Sequence, residues 1–238
     1  MPGTSRIYIA TTNPGKLREF REAARAQALE LKPEIEHGLA IESLPGMAEL
    51  KTPVEDGDTF EANARIKAEH YSLTAPGELV LAEDSGLAVD GLGGAPGVYS
   101  ARYAALLEGG PQSPAANHQN SDDAANNAAL IKQLESLPQN LRRGKYVCVI
   151  AVARDGKTVQ TFTGEVAGEL LTEPRGNGGF GYDPLFYFPA LGKTFAELPL
   201  EQKRQYSHRG NAFREFLNWF GRSRGGLNFE VAIPRKSK

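Results

Sequence analysis

Much that would mark a compartment or a partner is missing from this sequence. There is one cysteine, Cys148, so neither an internal disulfide framework nor a cysteine-rich zinc site is open to it. No apolar run approaches the ~20 residues that a membrane-spanning helix needs. The first residues lead almost directly into an apolar strand, with no signal-peptide core, so the cytoplasm is the expected compartment and no membrane partner is expected. Lys and Arg number 27 against 29 Asp and Glu, a formal net charge of −2. That balance leaves no global basic footprint, and no nucleic-acid partner is expected. A GxxxxGK(S/T) phosphate loop, the protein-kinase signatures and internal repeats are all absent.

What is present is an ordinary globular composition. With 238 residues, 40% hydrophobic and 24% charged, the chain can bury a sizeable core as one domain or two lobes. Cys148 falls inside the apolar run Tyr146-Val147-Cys148-Val149-Ile150-Ala151-Val152 and reads as a core residue.

The informative stretch is residues 79–103. Leu79-Val80-Leu81-Ala82 reads as a strand buried on both faces. Glu83 and Asp84 follow at its expected end, Ser85-Gly86 reads as a turn, and Leu87-Ala88-Val89 as a second short strand. A glycine-rich loop comes next, then Ser100-Ala101-Arg102-Tyr103. Ligands of open α/β sheets bind beyond the carboxyl ends of strands, so two acids there suggest a metal and a phosphorylated ligand. A solvated strand end beside a surface turn would present the same residues.

Upstream, residues 6–10 read as the first strand. Thr11-Thr12-Asn13-Pro14-Gly15-Lys16 leads into a helix with Leu17, Phe20 and Ala24 on one stripe. Asn13 suits the N-cap and Pro14 the first turn, and Lys16 adds charge to a helix start that already favours anions. Residues 25–57 read as a short strand and loops. Asp58, with Glu61 as its box partner, is the expected cap of a helix whose buried stripe is Phe60, Ala64, Ala68 and Tyr71. Asn63 and Lys67 share another face of it, turned either to solvent or to phosphate.

Downstream, residues 106–127 read as a long loop, an insertion before a helix over 128–137. Residues 146–153 read as a core strand, Asp155-Gly156 as a hairpin turn, and 157–163 as its return strand, continuing to 168. Residues 175–184 form a second glycine-rich loop, in which Phe180 and Tyr182 can stack on a flat ring and Asp183 can orient a hydrogen bond. A short helix over 200–205 carries Lys203. Ser207 caps a last helix with Phe213, Phe216, Leu217 and Phe220 on one face, and places His208 and Arg209 at its start. A basic tail is expected from about residue 222.

Together these segments resemble the inosine triphosphate pyrophosphatase family. The likeness is carried by ATTNPGK at 10–16, TFEANARIKA at 59–68, LAEDSGLAVDGLGGAPGVYSARY at 81–103, GNGGFGYDPLF at 176–186 and SHRGNAF at 207–213. They span nearly the whole chain in the family's order, closest to its bacterial branch. Glu83-Asp84 stands where many bacterial members carry Asp-Asp. The resemblance implies an α/β fold: a long twisted mixed central sheet with helices, and two lobes flanking a cleft. It makes residues 1–238 a single catalytic domain and implies a homodimer.

By the same resemblance, Asp84 is the general base and a Mg²⁺ ligand, with Glu55 as a second metal acid, and Ser85 contacts substrate. Thr11, Thr12, Asn13, Pro14, Gly15 and Lys16 hold phosphates, with Lys67 and Arg102 as further contacts. Phe180, Gly181, Tyr182 and Asp183 surround the base, and Lys203, His208 and Arg209 complete the nucleotide site. The implied substrate is a deaminated purine nucleoside triphosphate (ITP, dITP or XTP), cleaved to the monophosphate and pyrophosphate.

The residue chemistry agrees. Lys16, Lys67, Arg102, Lys203 and Arg209 can balance a triphosphate despite the near-neutral total. Mg²⁺ accepts one or two carboxylates beside phosphate oxygens. A nucleotide-dependent transferase or kinase would need a second substrate site, and a binding-only module gains little from a water-activating carboxylate.

Overall fold

The apolar run Ile7-Tyr8-Ile9 builds β1 (Ser5–Ile9), around which a mixed sheet grows. The computed structural model describes residues 5–30, 39–110 and 122–224, with side chains described except at 5, 24–30, 39 and 223–224. β1 pairs in parallel with β2 (Leu39–Ser43) on one side and with β3 (Leu79–Val89) on the other. β3 runs antiparallel to β4 (Arg143–Arg154), and β5 (Lys157–Leu170), β6 (Phe186–Phe188) and β7 (Lys193–Thr194) follow antiparallel in turn. The seven strands lie in the order β2-β1-β3-β4-β5-β6-β7, the long mixed sheet expected of the α/β fold.

One expectation about the central stretch is corrected. Ser85-Gly86 is not a turn: β3 is a single strand of 11 residues, paired with β4 from Val80 opposite Ala153 to Val89 opposite Gly144. Gly86 is there for closeness rather than for turning. A Cβ on it would lie 2.3 Å from Ser100 Oγ and 2.6 Å from the Gly97 carbonyl oxygen. β1 accompanies β3 only over residues 79–81. The acids therefore sit in mid-strand, just past the carboxyl end of the parallel part of the sheet, the position at which open α/β sheets bind ligands.

The helices cover both faces. α1 (Pro14–Glu30) starts as expected, with Asn13 Oδ1 accepting from the amides of Gly15 and Lys16 at 2.9 and 3.1 Å. α2 (Phe60–Ser72) is capped by Thr59, not Asp58: the Thr59 hydroxyl accepts from the Ala62 amide at 3.1 Å. α3 (Tyr103–Gly109) and α4 (Asp123–Glu135) replace both ends of the expected 106–127 loop, because Asp122 caps α4 upstream of where a helix was expected. Residues 111–121 of that segment lie outside the described residues. α5 (Leu200–Tyr206) precedes α6 (His208–Arg224), whose start Ser207 caps through the Gly210 amide at 3.1 Å. The start of the expected tail, 222–224, is still helix; residues 225–238, and the side chain of Ala24, lie outside the description. The Asp155-Gly156 hairpin has positive φ at both residues, 50° and 78°, as its two-residue loop requires.

Alternation along β3 decides what each face does. Leu79 and Leu81 pack with Ile7, Ile9, Cys148 and Ile150 under Phe213 and Phe216 of α6. Val80 and Ala82 pack on the other side with Ala64, Ala68 and Tyr71 of α2. A third buried cluster joins Leu87 and Val89 to α4 and to Phe186 and Phe195 beyond β5. The next two residues of β3, Glu83 and Asp84, inherit the opposite faces.

Candidate active site

Asp84 takes the α2 face. Its Oδ1 accepts from Lys67 Nζ at 2.7 Å, and the same ammonium donates to Glu55 Oε2 at 2.7 Å. Asp84 Oδ2 is buried and has no hydrogen-bond partner. Burial raises the Asp84 pKa above the usual carboxylate value, with Lys67 pulling the other way. Burial likewise opposes the Lys67 charge, but Asp84 and Glu55 more than offset it and hold the lysine protonated. The loop that carries Glu55 is pinned from α2. Asn63 Oδ1 accepts from the Gly57 amide at 2.9 Å, and a Cβ on Gly57 would lie 2.6 Å from Ala62 Cβ. Asn63 is therefore a buried anchor rather than a phosphate contact.

Glu83 takes the α1 and α6 face and is saturated. Its Oε1 meets Lys16 Nζ at 2.5 Å and Arg209 Nη2 at 3.4 Å, and its Oε2 accepts from Cys148 Sγ at 3.3 Å. Arg209 also donates to Glu19 at 2.6 Å and to Ser85 Oγ at 3.0 Å. Lys203 donates to Glu19 at 2.8 Å and to Asp183 at 2.6 Å. Three cations and three carboxylates thus share one largely buried cluster. Although desolvation opposes it, Arg209 and Lys203 hold Glu19 down at about 2, and Arg209 and Lys16 hold Glu83 well below the usual range.

The second glycine-rich loop closes over this cluster. Gly179 has φ +73°, and a Cβ there would fall 2.0 Å from Asp183 Oδ2. That space lets the Asp183 carboxylate fold back to accept from the Phe180 amide at 2.9 Å. The Phe180 ring then lies 5.0 Å from Lys203 Nζ and 5.4 Å from Arg209 Cζ, in cation–π contact with both. Gly15 packs beneath it: a Cβ would be 3.0 Å from Phe180 Cδ1. Gly181 is gripped from α4, its amide donating to Asp123 at 2.6 Å and its carbonyl accepting from Asn127 at 2.9 Å.

These elements line one cleft of ≈ 490 Å³, a size suited to a small-molecule ligand. Every site residue expected from sequence borders it except Gly15, which supports Phe180 from behind. Thr11, Thr12, Asn13, Pro14 and Lys16 line it together with Glu55, Lys67, Asp84, Ser85 and Arg102. Phe180, Gly181, Tyr182, Asp183, Lys203, His208 and Arg209 complete the lining. Tyr182 differs from its expected use as a stacking ring, since it is 3% exposed and its hydroxyl donates to the Ser100 carbonyl at 2.8 Å. His208 is buried and stacked on Tyr146 at 4.6 Å. Burial, with Arg209 beside it, keeps its pKa well below the usual histidine value, so the ring is neutral.

Sequence reading missed Glu19, Tyr146, Asp123 and Asn126. Glu19 sits one position from the apolar stripe of α1 and three from Lys16, a spacing shared by many surface helices. Tyr146 hides in an apolar strand, and Asp123 and Asn126 fall in the stretch read as loop.

The donor set fits a hard divalent cation. Two carboxylates converge, and one oxygen, Asp84 Oδ2, is buried without a partner. Among the described residues no group of three or more His, Cys, Asp or Glu is placed to hold a metal. The protein would then supply at most two ligands, with the rest from water and phosphate, the habit of Mg²⁺.

The chain is similar to known proteins over most of its length. The sequence model of the Ham1 family matches residues 7–219. The chain is 51% identical over 211 residues to a protein of Acidobacterium capsulatum named dITP/XTP pyrophosphatase, covering 89% of this chain and 96% of that one. It is 43% identical to the protein of that name from Geobacter sulfurreducens, covering 91% and 98%. Two solved structures share the fold. The Ham1 protein of Staphylococcus aureus has a TM-score of 0.70 at 35% identity, over 91% of this chain and 98% of its own. A HAM1 protein of Coxiella burnetii has a TM-score of 0.72 at 32% identity, over 92% and 100%. Among the described residues no helix is long and apolar enough to cross a membrane.

Proposed function

This chain belongs to the Ham1 family, and from that premise we propose that it hydrolyses ITP, dITP and XTP to the nucleoside monophosphate and pyrophosphate. The observation that carries this is that two kinds of group line one cleft. One is Asp84, a carboxylate with a free buried oxygen; the other is Phe180 over Lys203 and Arg209, with His208 in the same lining. The first suits a reacting phosphate and its water, the second a flat base.

Asp84 takes a proton from a water positioned beside Oδ2, aided by a pKa that burial raises above the usual carboxylate value. The water oxygen bonds to phosphorus, the anhydride bond to the leaving pyrophosphate breaks, and its charge passes to the Lys16 side of the cleft. The Asn13 cap, which takes the amides of Gly15 and Lys16, fixes the first turn of α1, and the positive end of the helix dipole favours that tail. A Mg²⁺ held by Asp84 and Glu55 would supply Lewis-acid stabilisation of phosphate charge. Phe180 stacks on the base. Arg209 Nε and His208 Nδ1 are both buried without partners and suit the 6-keto edge of hypoxanthine or xanthine. The homodimer and the cytoplasmic setting implied by the family resemblance belong to the same proposal.

The test is a panel of ITP, dITP, XTP, GTP and ATP with Mg²⁺, resolving phosphate from pyrophosphate. ITP, dITP and XTP should lead in kcat/KM, then GTP, then ATP, with phosphate appearing only after inorganic pyrophosphatase is added. Free phosphate without that enzyme would point to a stepwise phosphatase. Equal rates on ITP and ATP would overturn the base selectivity.

A further inference from the structure

Lys67 occupies the place where a metal between Glu55 and Asp84 would be expected. Its ammonium lies 2.7 Å from an oxygen of each acid. A Mg²⁺ bound to the same two oxygens would lie about 2.0–2.1 Å from them, leaving no room for Nζ between them. Resting on the metal-dependent hydrolysis proposed above, we propose that Lys67 is a built-in counter-ion that exchanges with the metal, so the metal enters only with the triphosphate.

Charge balance gives the direction. Glu55 and Asp84 carry two negative charges, and the single charge of Lys67 bridges them. A divalent ion entering alone would leave three positive charges against two in a poorly solvated site, so it must displace Lys67 or bind weakly. A triphosphate changes the balance. Its negative oxygens supply metal ligands and give the displaced ammonium a new partner in the same cleft, which Lys67 already borders. The flexible four-carbon stem of lysine permits that move. Until then Lys67 keeps the two acids in register, and Asn63 anchors the Glu55 loop through Gly57. Free metal and free nucleotide are each weak ligands in this scheme, and the metal–nucleotide complex is the strong one.

The test is binding of Mn²⁺ alone to the full chain, without nucleotide, read by electron paramagnetic resonance of free Mn²⁺. Mn²⁺ shares the oxygen preference and octahedral geometry of Mg²⁺. Wild-type protein should bind it weakly, and Lys67→Met on the order of 10-fold or more tighter, since one nearby positive charge is gone. Lys67→Gln should repeat the gain, Lys67→Arg should not, and Asp84→Asn added to Lys67→Met should abolish it. Equal Mn²⁺ affinity in wild type and Lys67→Met, or binding to neither, would overturn the exchange. So would wild-type binding at about 10 µM or tighter, a result that needs no variant to fold. Since no nucleotide is present, these outcomes are separate from the hydrolysis panel: a failed panel with a Lys67→Met gain removes the substrate assignment and not the exchange.

Discussion

Two neighbouring carboxylates on one strand, Glu83 and Asp84, live in opposite conditions. On the Glu83 face each carboxylate is matched by a cation: Glu19 by Lys203 and Arg209, Asp183 by Lys203, and Glu83 by Lys16 and Arg209. On the Asp84 face Lys67 bridges two acids, and Asp84 Oδ2 has no hydrogen-bond partner. The carboxylates of the first arrangement are all paired before any ligand arrives, which fixes that wall of the pocket. The second is unfinished, and under the proposed hydrolysis its missing partners are the substrate, its water and a metal. Breaking the first face should therefore be read in stability, and breaking the second in turnover.

The largest effect is expected at Glu19. Removing it in Glu19→Ala leaves Lys203 and Arg209 each one partner short in a buried site, a loss on the order of 3–5 kcal/mol. Urea denaturation would measure it, and a loss under about 1 kcal/mol would mean the face is not prepaired. Acid offers a second reading. The folded pKa of Glu19, about 2, is depressed from its ordinary 4.5. Its contribution is present above pH 4.5 and is lost as pH falls toward 2, on the order of 3 kcal/mol in all. Glu19→Gln should start less stable at neutral pH and show a flatter decline across that window.

Next comes Asp84→Asn, expected to lower kcat by on the order of 10²-fold or more while the fold survives. Burial already disfavours the Asp84 charge, so a neutral amide is tolerated there. Glu83→Gln should show the reverse pattern, with a larger loss of stability and a smaller loss of kcat. Near wild-type turnover by folded Asp84→Asn would collapse the distinction between the two faces.

Phe180→Ala tests the boundary between them. Its ring covers Lys203 and Arg209 without sharing their charge network. Loss of stacking should lower kcat/KM for all purine triphosphates together, by about 10-fold on the usual scale of base–aromatic contacts. Selective loss for ITP over ATP would instead make Phe180 a reader of base identity.

The parts legible in the sequence were those written locally. The Asn13 cap, the Asp155-Gly156 hairpin and the α6 stripe each follow from a few adjacent residues, and the motif strings hold most of the cleft lining, although Glu55, Asp123, Asn126, Tyr146 and Lys203 fall outside them. What was not legible depends on distant partners. Gly86 looks like a turn residue until Ser100 and Gly97 are seen pressed against it. Glu19 looks like any helix acid, since its partners lie 184 and 190 residues away. Tyr182 looks like a stacking ring beside Phe180, and only the Ser100 carbonyl shows where its hydroxyl is committed.

The smallest effect is expected at Cys148, and it discriminates between two views of the Glu83 face. By its neighbours on β4 this residue is core: it is fully buried and packs with Ile150 and Phe162. In an apolar site Cys148→Val would be nearly free and Cys148→Ser costly, because a buried hydroxyl without a partner is penalised. The contact with Glu83 reverses that order. The thiol is kept protonated, first by burial and then by the Glu83 charge, and it donates to Oε2, an oxygen given no other partner among the described hydrogen bonds and ion pairs. Valine removes the donor and leaves a buried carboxylate oxygen unsatisfied, about 1–3 kcal/mol, whereas serine keeps a donor in place. Cys148→Ser should therefore be the more stable variant, by about 1 kcal/mol, in paired urea denaturations. If valine proves the milder change, the face behind Glu83 is governed by apolar packing, and its completeness stops at Lys16 and Arg209.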